Sequence, residues 1–315
     1  MTVTRVLFGL LVLLACLNVV LFGNNLELGR KRKLGDGCYH VFLDVGSNIG
    51  VHSRFLFEPS KYPDATTGRR LFNEHFGGEE SRDNRDICSF AFEPNPVHVT
   101  RHRELSEVSE QAFLIRAFPC AHSSCSPKAY SKKGWRYVFI PAGVSDRDGN
   151  LTFYHQGGEK EEQSEEWGFG MTEYRRGKGT AVNIPVVRLA QWLKDEIKDR
   201  KMPSRVHGDR DMPPKVVMKM DVESAEYAVL PDLAYTGVAC ELVDFIFGEF
   251  HGVDVKYEDT GLELSHEVSR DKLRATVEFL NSVRECKTTL VEEDDEAYLH
   301  DGVPFPTKCH LGRCD

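Results

Sequence analysis

The stretch Val41-Phe-Leu-Asp-Val-Gly-Ser-Asn-Ile-Gly-Val51 passes from apolar residues to glycines within a single turn, and it restricts the fold more than any other segment. Residues 39–45 form a short, β-rich apolar run, as expected of a strand covered on both faces. Gly46 and Gly50 bracket Ser47-Asn48, and glycine takes backbone angles, or permits a close approach, that a side chain forbids. Ser47 or Asn48 is a candidate cap for a helix starting near Gly50, whose free N–H groups would face whatever sits above the loop. The plainer alternative is an ordinary strand-to-helix turn, because isolated glycine-loop matches are common.

Three later apolar runs end as abruptly. Ile87-Cys-Ser-Phe-Ala-Phe92 meets Glu93-Pro-Asn-Pro96, where Asn95 is a good cap and Pro96 suits the first helical position, which predicts a helix to about Glu110. Glu93 is thereby left at the carboxyl end of a strand, where an acid one strand over from a glycine loop can accept bonds from two ribose hydroxyls. An ordinary exposed turn acid is the alternative. Lys215-Val-Val-Met-Lys-Met220 meets Asp221-Val-Glu-Ser-Ala-Glu226, and residues 241–247, read as a strand, meet Gly248-Glu-Phe-His251.

Helices are predicted at Val51–Phe57, which Pro59 stops, at 189–198 and at 271–286; further strands are predicted at 135–144, 151–155, 183–188 and 288–291. Asp148-Gly149 predicts a hairpin between the first two of these strands. That order of elements gives an α/β body with a largely parallel sheet, helices on both faces and antiparallel additions. Residues 62–86 and 120–133 read as polar surface insertions, and 198–214 as a charged connection. The loop 157–179 carries Trp167-Gly-Phe-Gly170, either a lid or a pair of aromatics packed on the body.

Residues 6–23 are apolar except for Asn18, at the lower edge of what crosses a hydrocarbon core of about 30 Å. We read 1–5 as a tail, 6–23 as an uncleaved signal anchor, 24–37 as a stem and 38–315 as the body. The net charge is −9 and no basic block exceeds Arg30-Lys-Arg-Lys33, which disfavours a nucleic-acid partner. That cluster follows the anchor, so the positive-inside rule alone would turn the body to the cytoplasm. Against it, eight of the nine cysteines (Cys38, Cys88, Cys120, Cys125, Cys240, Cys286, Cys309, Cys314) lie in the body without zinc spacing. Such usage suits the secretory-pathway lumen or the cell exterior, with Cys120/Cys125 and Cys309/Cys314 as candidate local bridges; buried free thiols in a cytosolic domain are the alternative. Asn150-Leu-Thr152 is a glycosylation sequon, of a kind expected by chance in a chain of this length.

Six blocks in order resemble the FkbM family of S-adenosylmethionine-dependent methyltransferases: Phe42-Leu-Asp-Val-Gly-Ser-Asn-Ile-Gly50, Phe90-Ala-Phe-Glu-Pro-Asn-Pro96, Ala142-Gly-Val-Ser-Asp-Arg-Asp-Gly149, Val187-Arg-Leu189, Lys219-Met-Asp-Val-Glu-Ser-Ala-Glu226 and Phe247-Gly-Glu-Phe-His251. The resemblance implies a Rossmann-like class I methyltransferase fold. It also implies that Asp44, Gly46, Asn48 and Gly50 hold the methionine end of S-adenosyl-L-methionine, Glu93 its ribose, and Val144 and Ser145 its adenine. Ser224 stands where the family usually has glycine, and the insertions before Phe90 and Trp135 and the anchor are further departures, which bear on the acceptor rather than the donor.

A hydroxyl acceptor must lose a proton during methyl transfer, and Asp221, Glu223 and His251, at the ends of neighbouring strands, are the candidate catalytic groups. The same acids and histidine could instead bind a divalent metal, but we assign none; Asp221 and Glu223 acting only as helix caps is the bland alternative. The expected function is O-methylation of a carbohydrate or other small hydroxylated acceptor. A nicotinamide-dependent oxidoreductase would carry G-x-G-x-x-G after the first strand, and Gly46-Ser-Asn-Ile-Gly50 lacks that spacing. A non-catalytic glycan-binding or scaffold protein on the same fold is the third class.

Overall fold

A computed structural model of the chain describes residues 31–105, 130–155, 169–171, 181–251, 255–257, 262–264, 266–295, 309–310 and 313–314. The segment 6–23 lies outside them; among the described residues no helix is long and apolar enough to cross a membrane. The stretch Gly35–Asp315 forms a compact unit.

Its first strand, β1 (His40–Val45), is buried along its whole length, and so is β2 (Ile87–Phe92). The strands β3 (Arg136–Ile140), β4 (Gly143–Ser145), β5 (Gly149–Tyr154), β6 (Ala181–Arg188), β7 (Val216–Met220), β8 (Phe245–Gly248), β9 (Val255–Tyr257), β10 (Leu262–Leu264) and β11 (Thr289–Glu292) follow. A six-stranded sheet has the order β11-β8-β7-β1-β2-β3, with every pairing parallel. From β1 the chain winds outward to β2 and β3, then returns to the other side of β1 for β7, β8 and β11. The direction therefore reverses between β1 and β7, the crevice where open α/β sheets bind ligands.

Helices cover both faces. On one side lie α1 (Val51–Phe57) and α2 (Thr66–Phe76); Phe55, Leu56, Leu71, Phe72 and Phe76 join Phe42, Ala91, Val217 and Phe247 in one buried cluster. Phe42 meets Phe72 edge-on at 5.0 Å between ring centroids, an arrangement that suits the ring quadrupoles. After α3 (Val99–Leu105), the other face takes α4 (Leu189–Glu196), whose Trp192 packs on Phe90 and Phe92. The helices α5 (Glu226–Tyr235), α6 (Val238–Leu242) and α7 (His266–Ser282) follow among the described residues.

Several sequence expectations change. Residues 62–86 are not a plain surface insertion, because α2 lies within them and buries Leu71, Phe72 and Phe76. The run 135–144 splits into β3 and β4 around Pro141, which has no N–H for a ladder. Asp148-Gly149 does not close a hairpin: β4 and β5 both pair with β6, parallel and antiparallel respectively, in a second sheet of order β4-β6-β5. The run 241–247 is the end of α6 followed by β8. Asn95 does cap its helix, accepting from the Val97 N–H at 3.1 Å, and a short 3-10 turn, Pro96–His98, leads into α3.

Disulfides join Cys38 to Cys88 and Cys240 to Cys286. Adjacent strands, not local spacing, create the first pair, since Cys38 immediately precedes β1 and Cys88 lies in β2 beside it. Cys120 and Cys125 lie outside the described residues, and Cys309 stands opposite Cys314 in a two-stranded antiparallel ladder. The Cys38–Cys88 bond spans 50 residues, and a loop of that length corresponds to about 4 kcal/mol of unfolded-state entropy. The double variant Cys38→Ala/Cys88→Ala should lose up to about that much stability in a denaturant titration.

Candidate active site

The carboxyl ends of β1, β2 and β7 converge on an open cavity whose empty space, mouth included, is about 540 Å³. Gly46, Asn48, Glu93, Val144, Asp221 and Glu223 all line it. Phe92, Pro94, His98, Ala142, Phe153 and Phe169 supply most of the remaining wall.

Below the loop, Asp44 is wholly buried at the end of β1. Its Oδ2 accepts from the Ser47 hydroxyl at 2.8 Å, the Ser53 hydroxyl at 2.7 Å and the Ser53 N–H at 3.1 Å. Ser47 is thus a support for Asp44 and not a helix cap, and α1 starts after a left-handed Gly50 with no side-chain cap. Oδ1 of Asp44 and Oδ1 of Asn48 are buried without a hydrogen-bond partner. Gly46 has φ of +76°, and a Cβ there would lie 1.6 Å from the Asp221 carbonyl oxygen, so the β1 and β7 turns touch only because this residue has no side chain.

The N–H groups of Gly46, Ser47, Asn48 and Gly50 are engaged inside the protein. Those of Gly46 and Ser47 donate to the Phe92 carbonyl at 3.1 and 3.0 Å, and that of Gly50 to the Ser47 carbonyl at 2.7 Å. The Asn48 N–H donates to Glu93 Oε2 at 2.7 Å, while Glu93 Oε1 accepts from the Asn95 N–H at the same distance. Glu93 is therefore a fixed carboxylate that ties the β1 loop to the β2 turn. Each oxygen has capacity for a further donor.

His102, on α3, supports Asn48 from behind. Its Nε2 donates to the Asn48 carbonyl at 2.5 Å, which leaves Nδ1 to accept from the Tyr137 hydroxyl at 2.6 Å. Burial pushes this imidazole down to about 3, with His98 adding to the effect, so it is neutral.

The opposite wall is acidic. Glu223 and Ser224 sit at φ of +50° and +82°, a left-handed pair that side chains disfavour, and a Cβ at Gly170 would meet Glu223 at 2.6 Å. Four carboxyl groups surround His251, which follows β8. Its Nδ1 lies 3.4 Å from Glu226 and 3.8 Å from Asp221, and its Nε2 lies 3.7 Å from both Glu223 and Glu249. Burial alone would lower the imidazole; the hydrogen bond to Glu226 and the charges of Glu223, Glu226 and Asp221 outweigh it and hold the group at about 10. Glu223 is pushed up to about 8, chiefly by burial; His251 opposes the rise, and Asp221, Glu226 and Glu249 add to it.

Lys219 stands out as an ammonium inside a buried strand. Its Nζ donates to the Gly46 carbonyl at 2.9 Å and to Asp221 Oδ2 at 3.0 Å. Burial would lower it, but Asp221, Asp294 and Asp44 more than offset that and raise it above its ordinary value.

Four expected site residues stand apart from the lining, Asp44 among them because it is buried beneath the loop. Gly50 abuts Tyr137 and Leu105. Ser145 is buried with its hydroxyl donating to Asp146, because successive residues of β4 face opposite ways and Val144 takes the cavity side. His251 reaches the cavity through Glu223 and Asp221. Sequence reasoning passed over Lys219, His98, His102 and Phe153. For Lys219 a signal existed, a lone cation within an apolar run. Phe169 stacks on Phe153 at 5.5 Å as fixed wall, so this part of the loop packs on the body; Trp167 lies outside the described residues.

Comparison with protein-family models, with curated proteins and with solved structures finds no match for this chain.

Gly46→Ala should cost at least about 3 kcal/mol in urea unfolding, since left-handed strain adds to a clash with backbone. His102 has a depressed folded pKa, so between its ordinary 6.5 and about 3 the unfolded chain binds a proton that the folded chain does not. Its contribution is present above 6.5 and falls by up to about 1.4 kcal/mol per pH unit on acidification. His102→Gln, which keeps a donor for the Asn48 carbonyl, should flatten the stability profile between pH 6 and 4 by about one proton.

Proposed function

We propose that this chain is an S-adenosyl-L-methionine-dependent methyltransferase of the class I, FkbM-like kind, acting on a hydroxyl of a carbohydrate or other small hydroxylated acceptor. One observation carries the proposal: a single cavity at the reversal point of the sheet gathers the Gly46-Asn48 loop, Glu93, Val144 and the Asp221-Glu223 turn. These are the blocks through which the sequence resembles that family.

The residues fit such a donor. Gly46 lines the cavity with bare backbone, and the buried, unpartnered Oδ1 of Asn48, which lines it too, is an acceptor suited to a cationic amino-acid end, with the unpartnered Oδ1 of Asp44 adding negative charge beneath the loop. Glu93, held by two backbone N–H groups, keeps free lone pairs for a ribose diol. Val144 with Phe153 and Phe169 offers an apolar slot for a base. When bound, the donor supplies a methyl group on a sulfonium, open to in-line displacement.

The chain's own part is alignment and proton removal, and alignment alone can lower a barrier by several kcal/mol. Glu223, on the cavity wall, takes the acceptor proton; Asp221 shares that wall, and His251 orients both from behind. A dinucleotide fits less well, because its pyrophosphate needs free N–H groups at this turn and those of Gly46, Ser47, Asn48 and Gly50 are engaged. The disulfides support a body in the secretory lumen or outside the cell, held by the 6–23 anchor. Protease protection in sealed vesicles tests that placement.

The full chain should bind radiolabelled S-adenosylmethionine. Glu93→Ala and Asp44→Ala should each weaken binding at least about tenfold, as loss of a charged hydrogen bond implies. No binding, or binding indifferent to both substitutions in folded protein, would remove the proposal. Binding without turnover on any hydroxylated acceptor would favour a non-catalytic carrier of the fold.

A further inference from the structure

Beside the cavity, His251 divides its carboxylate neighbours into two pairs. Glu226 and Asp221 lie on its Nδ1 side at 3.4 and 3.8 Å, and Glu223 and Glu249 on its Nε2 side, both at 3.7 Å. One ligand atom from each of Asp221, Glu226 and His251 falls within 4.8 Å of the others. Ligands of one ion, at bond lengths of about 2.0–2.2 Å, lie about 3–3.5 Å from one another, so small side-chain rotations close this set around a cation.

Glu226 supplies an independent observation. Its side chain is wholly buried and reaches the cluster through Oε1, which also accepts from the Val222 N–H at 2.9 Å; its Oε2 has no hydrogen-bond partner. A buried carboxylate oxygen without a donor is costly, and a cation in the cluster is the partner it lacks. Asp221 is divided in a similar way: Lys219 holds Oδ2, while Oδ1 faces the histidine.

We propose that Asp221, Glu226 and His251 Nδ1 bind a divalent first-row cation such as Mn2+, which displaces the Nδ1 proton to solvent, while the Nε2–H faces Glu223 and Glu249. Two carboxylates and one imidazole suit Mn2+ or Zn2+ better than Mg2+. A histidine that ligates through one nitrogen and donates to carboxylate through the other is fixed in tautomer and ring orientation, which is the role of the second pair. Asp221 lines the cavity, so the ion has an entry path and meets any hydroxyl that reaches this wall, whose pKa it would lower. None of this depends on the identity of the methyl donor.

The test is a Mn2+ titration of the chelator-stripped full chain without S-adenosylmethionine, followed by electron paramagnetic resonance. One equivalent should bind, with echo modulation from a single histidine nitrogen. Glu226→Gln keeps an oxygen for the Val222 N–H and so should fold, yet it should weaken Mn2+ at least tenfold. His251→Gln should abolish the nitrogen modulation, and Glu74→Gln, on the exposed face of α2, should change nothing. No bound Mn2+, bound Mn2+ without nitrogen modulation, or equal affinity in folded Glu226→Gln would overturn the site. Metal binding without S-adenosylmethionine binding would leave it standing while removing the functional proposal above.

Discussion

The buried ammonium of Lys219 holds the working edge of this protein together. It reaches from β7 to the Gly46 carbonyl of the β1 turn and to Asp221 of its own turn; against burial, which would raise Asp294 near the end of β11, the charge of His52 and then that of Lys219 hold this carboxyl well below the usual range. Burying a lone ammonium costs several kcal/mol, so it persists only where acids and a carbonyl converge on it. Gly46 completes the arrangement, because any larger residue would push the two turns apart. Glu93 ties the third turn by accepting from Asn48 and Asn95. The cavity is what remains among three turns bound to one another by charged groups.

Much of this was legible in sequence. A parallel strand covered on both faces reads as an unbroken apolar run, and the residue that ends it sits at one edge of the sheet. Asp44, Gly46, Glu93 and Asp221 could therefore be assigned to a common edge before any coordinates. The helix Thr66–Phe76 was not legible, because charged residues dilute its few core contacts at Leu71, Phe72 and Phe76. Asn48 does not cap α1: its side-chain oxygen makes no hydrogen bond, and the helix starts after a left-handed Gly50, while Glu93, 45 residues away, holds the Asn48 N–H. Likewise nothing local says that Glu226 turns back to Val222 and His251. Ser145 was lost to simple alternation, since one strand face can supply only every second residue.

The two walls of the cavity differ in kind. One is built from strand ends and backbone bonds. The other combines a left-handed turn at Glu223-Ser224, pressed by Gly170, with aromatic residues of the second sheet. A turn that keeps two side-chain-bearing residues at positive φ is strained by about 1–3 kcal/mol per residue. The contact from Gly170 and the carboxylate ring around His251 are what hold it there.

The Cys38–Cys88 bond closes the amino edge of β1 and β2, whereas the cavity opens at their carboxyl edge. Six residues of extended chain separate the two, about 20 Å. Contributions that far apart, with no shared partner, add without coupling. Endurance and occupancy are therefore independent properties of this protein: a cell compartment can set how long the chain lasts through one edge without altering what the other edge holds.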